Sequence, residues 1–383
     1  MVKLGNVCTV VSGTTPKSNH LEYWDGNINW VTPAELKDDS DIIFESQRKI
    51  TEKAVADTSM KPFPAGTVLL SSRAPIGKVA IAGVEMYCNQ GFKNLICSEA
   101  IYNRYLYHYL KSKTDYLNSL GRGATFKEIS KNIVESIEIP LPPINEQRKI
   151  AAVLDKVSDL IAKRRQQLDK LDELVKSRFV EMFGDPIINS MHWMEELIGD
   201  SCFVTKLAGF EYTQYIHYGD SGDVVMVKAQ NVKNGKLNRK DLSYISNEVS
   251  NSLPRSQLAA GDVVMTYVGA NIGDVAVIDD EYKYHLAPNV AKIRPDAEKY
   301  NSVYFMYMLM FLNSYVVGNS ADTAKAALGM ERIRKLKIFT PPIGLQEQFA
   351  AFVAQVDKSK FAIQKSLQKL KMLKSALMQE YFR

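Results

Sequence analysis

Two stretches of the chain carry the clearest pattern of apolar and polar positions. From 145 to 183, and again from 345 to 383, there are 39 residues with neither Gly nor Pro. Steps of four and three through the first reach Ile150, Leu154, Val157, Ile161, Arg164, Leu168, Leu171, Val175, Arg178 and Met182. The same steps through the second reach Phe349, Val353, Val356, Lys360, Ile363, Leu367, Leu370, Lys374, Leu377 and Tyr381. Each set has two charged members, and a seam kept at period 3.5 for more than four heptads predicts a coiled coil. Helices packed separately on globular cores show a broader stripe at period 3.6. Each stretch also follows a Pro-Pro, which ends an extended segment and suits a helix start.

The two stretches are copies. Pro142-Pro143-Ile144 recurs as Pro341-Pro342-Ile343, and holding that offset through Phe183 gives 13 identities in 42 positions. Gln147, Ala151, Ala152, Val157, Leu168, Leu171 and Phe183 are among them. Chance leaves only two or three, so a duplication is established. The preceding segments repeat more weakly: Ala65-Gly66 parallels Ala260-Gly261, Ile76-Gly77 parallels Ile272-Gly273, and Tyr102-Asn103 parallels Tyr300-Asn301. Both read as short strands with turn residues, then an aromatic-rich helix near 102–120 and 300–315.

The predicted fold class is therefore α+β, with helices segregated from a largely antiparallel sheet in each of two globular units. Domain boundaries are expected at 1–139 (first globular unit), 140–184 (long helix), 185–339 (second unit) and 340–383 (second long helix). Because the second unit lies between the helices in the chain, a paired second helix must run back along the first. That order predicts units at opposite ends of an antiparallel two-helix coiled coil with a pseudo-two-fold repeat. The seam is assigned to Ile150, Leu154, Val157, Ile161, Leu168, Leu171 and Val175, against Val353, Val356, Ile363, Leu367, Leu370 and Leu377. Arg164, Arg178, Lys360 and Lys374 interrupt it, where polar residues can set register.

Charge and chemistry narrow the function. The chain has 383 residues and a net charge of +5. By segment this is +1 over 1–139, −2 over 185–339, +2 over 140–184 and +4 over 340–383, so the excess sits on the helices. Lys358, Lys360, Lys365, Lys369, Lys371 and Lys374 read as a solvated coiled-coil flank. Tyr102, Tyr105, Tyr109 and Tyr116 read as packing residues. The longest run of aromatic and aliphatic residues, 304–312, is half the length of a membrane span. No leader-like N-terminus is visible, and a cytoplasmic protein is expected. Cys8, Cys88, Cys97 and Cys202 lack CxxC spacing and no HExxH occurs, so no metal site is expected. There is no P-loop and no Gly-x-Ser-x-Gly elbow, and Gly121-Arg122-Gly123 lacks the third Gly of a dinucleotide fingerprint. An enzyme is disfavoured.

The repeated Pro-Pro-Ile-x-x-Gln opening a Gly/Pro-free helix on each of two divergent units resembles the specificity subunit of type I restriction–modification systems. Strings within the units match as well. The first has Gly13-Thr14-Thr15-Pro16, Trp30-Val31, Leu70-Ser71-Ser72-Arg73-Ala74-Pro75-Ile76-Gly77 and Asn89-Gln90-Gly91-Phe92. The second has Lys228-Ala229-Gln230-Asn231-Val232 and Thr266-Tyr267-Val268-Gly269-Ala270-Asn271-Ile272-Gly273, with Gly209-Phe210-Glu211-Tyr212 where the first has Gly-x-Thr-Pro.

The resemblance implies a non-catalytic, DNA-reading subunit with two target recognition domains, one per half of a bipartite, asymmetric site in double-stranded DNA. It implies two adenine-methylating modification subunits and restriction subunits as partners, with S-adenosylmethionine, ATP and magnesium held on those partners and no cofactor here. Candidate DNA contacts are polar residues, all basic or amide except Tyr267, in or near the matching strings. They are Lys17, Arg73, Lys78, Gln90, Lys93, Arg122 and Lys127 in the first unit, and Lys228, Gln230, Asn231, Lys233, Tyr267, Asn271 and Lys325 in the second. The alternative is a two-headed protein-binding scaffold that does not read DNA.

Overall fold

Strands buried on both faces need apolar runs and not alternation. Val79–Ala82, Val224–Val227 and Val263–Thr266 are such runs, buried at every position in the computed structural model. The residues described are 1–37, 41–73, 75–123, 127–318 and 328–383, without the side chains of 314–318. They form two compact units, Met1–Gln167 with Ile363–Arg383, and Leu168–Ala362. The boundaries fall inside the long helices Ile144–Phe183 and Ile343–Tyr381, so each helix is shared between units.

In the first unit a five-stranded sheet runs in the order Cys8–Ser12, Lys93–Cys97, Val68–Leu70, Val79–Ala82, Ile42–Ile43. In the second, Cys202–Lys206, Val290–Pro295, Val263–Thr266 and Val275–Val277 repeat the order of the first four. A further sheet in each unit is built on a parallel pair, which the sequence reading did not anticipate. Trp30 lies opposite Tyr87 in one, and Val224 opposite Lys283 in the other. Antiparallel pairs Val2–Lys3 with Glu138–Ile139 and Glu195–Leu197 with Lys337–Phe339 join the start of each unit to the strand before its Pro-Pro.

Two repeated interactions fasten each unit to its helical segments. Gln147 is fully buried: its amide donates to the Ala100 and Pro142 carbonyls at 3.0 and 2.9 Å, and accepts from the Tyr102 N–H at 2.9 Å. Gln346 does the same with Lys299 and Pro341, at 2.9 and 2.7 Å, and with the Asn301 N–H at 2.9 Å. The second interaction is aromatic. Phe382 packs edge-on against Tyr105 at 5.3 Å in one unit, and Phe183 against Tyr304 at 4.6 Å in the other. The Tyr105 hydroxyl donates to the Pro140 carbonyl and that of Tyr304 to the Phe339 carbonyl, again equivalent positions.

None of the predicted seam residues is exposed. Ile150, Leu154, Val157 and Ile161 are buried in the first unit, where Ile363, Leu367, Leu370 and Leu377 are half-buried. Val175, Val353 and Val356 are buried in the second unit, with Leu168 and Leu171 half-buried. The lysine flank is only partly solvated. Lys358, Lys365, Lys369 and Lys371 are exposed, but Lys360 is 7% exposed and pairs with Asp172. Lys374 is half-buried, and desolvation pulls its ammonium below the ordinary range against the attraction of Asp155 and Asp41. These two corrections share a cause: both lysines sit on the seam, so the helix turns them inward.

Each clamp glutamine is itself fully buried and bonds three backbone groups, and a group left unpaired away from water costs about 1–3 kcal/mol. Gln147→Ala and Gln346→Ala are each expected to cost about 2 kcal/mol or more, read as a lowered urea midpoint. Losses under about 1 kcal/mol would show that water replaces the amide.

Candidate DNA interface

In the first unit the hairpin between Val68–Leu70 and Val79–Ala82 turns through Gly77, whose φ of +89° disfavours a side chain. The Gly77 N–H donates to the Ser71 carbonyl and the Ser71 N–H to the Lys78 carbonyl, closing the loop that carries Arg73. Single β-bridges then set both Arg73 and Arg122 against Glu128. Arg122 and Glu128 exchange backbone hydrogen bonds of 3.0 and 2.9 Å. The Glu128 carboxylate in turn receives Lys93 Nζ at 2.9 Å. The structure thus brings Arg73, Lys93, Arg122 and Lys127 around one acidic residue, although they are scattered over 55 positions. Arg122 and Lys127 are exposed, and Arg73 and Lys78 half-buried.

Lys93 is a correction. It lies in a strand, not a loop, and its side chain is 9% exposed and committed to Glu128, so it stabilises the loop junction from beneath.

A second cluster joins two of the strings. Gly13 lies so close to the neighbouring chain that a Cβ there would sit 2.0 Å from the Cys88 carbonyl oxygen. The Thr14 N–H donates to that carbonyl at 3.0 Å, and the Trp30 indole N–H donates to the Thr14 carbonyl at 3.0 Å. The Thr15 hydroxyl donates to Gln90 Oε1, and the Trp24 indole N–H to the Lys17 carbonyl. Lys17 and Gln90 are both exposed on this framework. Sequence reasoning missed Arg48, which lies over the Trp24 ring with its guanidinium carbon 3.8 Å from the centroid. No family-like string covers it; only its place between two strands hinted at a loop.

In the second unit the turn Ala229–Asn231 repeats Pro33–Glu35. The side chain at its third position closes each turn: Glu35 Oε1 accepts the Thr32 N–H at 2.8 Å, and Asn231 Oδ1 the Lys228 N–H at 3.1 Å. Asn231 Nδ2 also donates to the Asn238 and Lys240 carbonyls, and the residue is 2% exposed. It is a further correction: the residue is buried and closes its own loop. The two turns align in sequence, Trp30-Val31-Thr32-Pro33-Ala34-Glu35 with Met226-Val227-Lys228-Ala229-Gln230-Asn231. Lys228 Nζ donates to the Asp241 carbonyl and Ser243 Oγ at 3.0 and 2.8 Å, while Gln230 and Lys233 are exposed.

The hairpin loop of this unit turns through Gly273 at φ +83°, and Gly273 N–H donates to Thr266. Tyr267 is half-buried, with Lys206 Nζ 5.3 Å from its ring centroid, and burial pushes its phenol up. Asn271 is half-buried and its carbonyl accepts the Asp274 N–H. Burial raises the Asp274 carboxyl, with Lys233 drawing it back down. Lys325 lies outside the described residues.

Among the described residues no group of three or more His, Cys, Asp or Glu could hold a metal ion, and no helix is long and apolar enough to cross a membrane. What the surface offers is polar: guanidinium, ammonium and amide groups on loops stiffened from below, the chemistry that pairs with phosphates and base edges.

Comparison with known proteins agrees with that chemistry. The model of the type I restriction modification DNA specificity domain matches residues 1–173 and again 204–374. The type I restriction enzyme MjaIX specificity subunit of Methanocaldococcus jannaschii is 30% identical over an alignment of 396 residues, covering 98% of this chain and 90% of that protein. The EcoR124I/EcoR124II specificity subunit of Escherichia coli is 32% identical over 183 residues, covering 46% of this chain and 45% of that protein. The S subunit from M. genitalium has a similar fold, with a TM-score of 0.57 at 15% identity, over 100% of this chain and 95% of that one. A chain solved in work on complex assembly and conformational transition of the type I R-M system gives 0.61 at 20% identity, covering 100% and 97%. With two domain matches spanning most of its length and a relative similar almost end to end, the chain belongs to the specificity subunits of type I restriction–modification systems, the non-catalytic members of those complexes.

Proposed function

We propose that this chain reads a bipartite, asymmetric target in double-stranded DNA, one half-site through the loops of each unit. The observation that carries the reading is a repeated scaffold with unlike loops. Sheet order, glutamine clamp and glycine-turned hairpin recur in both units, while the residues on those loops differ. Arg73 and Lys78 on one hairpin loop stand against Tyr267 and Asn271 on the other, and Thr32 at one turn against Lys228 at the other. Identical supports with different readers suit two different half-sites. The long helices set the spacing between them and scaffold two adenine-methylating modification subunits and the restriction subunits. S-adenosylmethionine, ATP and magnesium reside on those partners, and the complex works in the cytoplasm.

Long-read methylome sequencing of the host with and without the gene tests this directly. Loss of one bipartite, non-palindromic adenine motif on deletion is expected; an unchanged methylome or loss of a palindrome contradicts it. Spacing has its own test. Adding one heptad in register to both long helices lengthens them by about 10 Å, which is about 3 base pairs of B-DNA. The tolerated spacer should grow by that amount while both half-sites persist, and an unchanged spacer in a randomised-spacer methylation library sinks the ruler. Finally, units carrying +1 and −2 give little long-range attraction for DNA. The chain alone should bind weakly and lose that binding as salt rises; tight, salt-resistant binding in a mobility-shift titration contradicts this.

A further inference from the structure

Arg48 stands apart from the other arginines at the candidate interface. Its guanidinium carbon lies 3.8 Å from the Trp24 ring centroid and 5.7 Å from that of Trp30. Both rings are buried, 8% and 2% exposed, and meet edge to face at 5.2 Å, so the platform beneath the arginine is rigid. The backbone is anchored too. Ser46 Oγ donates to the Arg48 carbonyl at 2.6 Å and accepts the Trp30 N–H at 2.9 Å, while the Asn29 side chain accepts the Ser46 N–H.

The guanidinium itself is uncommitted: among the described residues no carboxylate pairs with it. The acidic residues near it in the chain are engaged elsewhere. Glu45 pairs with Lys49, and Glu35 accepts the Thr32 and Gln47 N–H groups. An exposed arginine with planar donors, held by stacking and left without an anion, has its ordering cost already met before a ligand arrives.

The same two tryptophans organise the neighbouring polar groups. Trp24 donates to the Lys17 carbonyl, Trp30 to the Thr14 carbonyl, and Thr15 fixes the Gln90 amide oxygen, leaving its N–H groups free to donate. Arginine, glutamine and lysine therefore hang on one buried frame. A fork of fixed N–H donors matches the O6 and N7 acceptors of guanine in the major groove.

We propose that Arg48, seated on Trp24, reads a guanine in the half-site recognised by the first unit. This assignment rests on the DNA-reading function proposed above and adds to it a specificity-determining residue.

The test uses the full chain co-expressed with its modification subunits and a library of double-stranded targets randomised in both half-sites, scored by methylation. Arg48→Ala and Arg48→Lys are compared with wild type. Lysine keeps the charge but loses the planar fork. Both variants should lose about 10- to 100-fold discrimination at a single G·C position of one half-site. The other half-site should remain intact, which reports that the variant folds and assembles. An unchanged motif in both variants overturns the assignment and leaves Arg48 as a cover for Trp24. Uniform weakening across all sequences, with the salt slope reduced by about one, also overturns it, because that is a phosphate contact. A wild-type complex that selects no bipartite motif removes the DNA-reading function itself, a failure distinct from either.

Discussion

The buried amides of Gln147 and Gln346 hold together what the rest of the fold needs to be joined. A proline pair lies between the last strand of the unit and each long helix, and the Pro142 and Pro341 carbonyls take their hydrogen bond from a side chain. The glutamine four or five residues on provides it, and uses its remaining N–H and its oxygen on the segment that starts the aromatic helix. One side chain thereby fixes three pieces of chain: the end of the sheet, the start of the long helix and the start of the packed helix. Because hydrogen bonds are directional, this sets how the globular part sits on its helical segment more sharply than apolar packing could. The Phe382–Tyr105 and Phe183–Tyr304 contacts supply apolar area at the same junctions.

Charges buried near the helices differ between the units. In the first, Arg104 makes two hydrogen bonds to Asp155 at 2.6 and 2.7 Å and another to Asp41, and His108 Nε2 approaches Asp155 at 2.7 Å. Burial pushes the Asp155 carboxyl up, but the bonds from His108 and Arg104 outweigh it and hold it below its ordinary value. Burial holds the His108 imidazole down despite Asp155. The imidazole and the Arg104 guanidinium thus converge on one carboxylate. In the second unit Lys360 and Asp172 make a single pair instead, with the aspartate largely exposed. Such pairs add little net stability, since desolvation offsets attraction, but a mismatched register would leave Lys360 or Arg104 buried without a partner.

The polar loop residues were the hardest to place from sequence. Lys17, Gln90, Arg122, Lys127, Gln230 and Lys233 emerge exposed, but Lys93 and Asn231 turn inward, and nothing in their residue type separated them. Their roles depend on partners outside the matching strings: Glu128 for Lys93, and the Asn238 and Lys240 carbonyls for Asn231. Arg48 went unnoticed for the converse reason. Its distinction comes from Trp24 beneath it, 24 residues earlier, and pattern reading along the chain does not reveal a stacking partner at that distance.

The amino-acid sequence by itself determined the duplication, the two long helices, their inward faces and the α+β character of each unit. Those properties are local or periodic: a 3.5-residue apolar repeat, a missing helix breaker and a proline pair act within a few turns of chain. It also revealed that Gln147 and Gln346 were kept in both copies, though not why. Tertiary structure decided the rest. It set parallel pairs within the largely antiparallel sheets, gave the seam residue Lys360 its Asp172 partner, and sorted the polar loop residues into those that support and those that face solvent. Each of these outcomes turns on which distant group satisfies a buried donor, acceptor or charge, and that is settled only when the chain is folded.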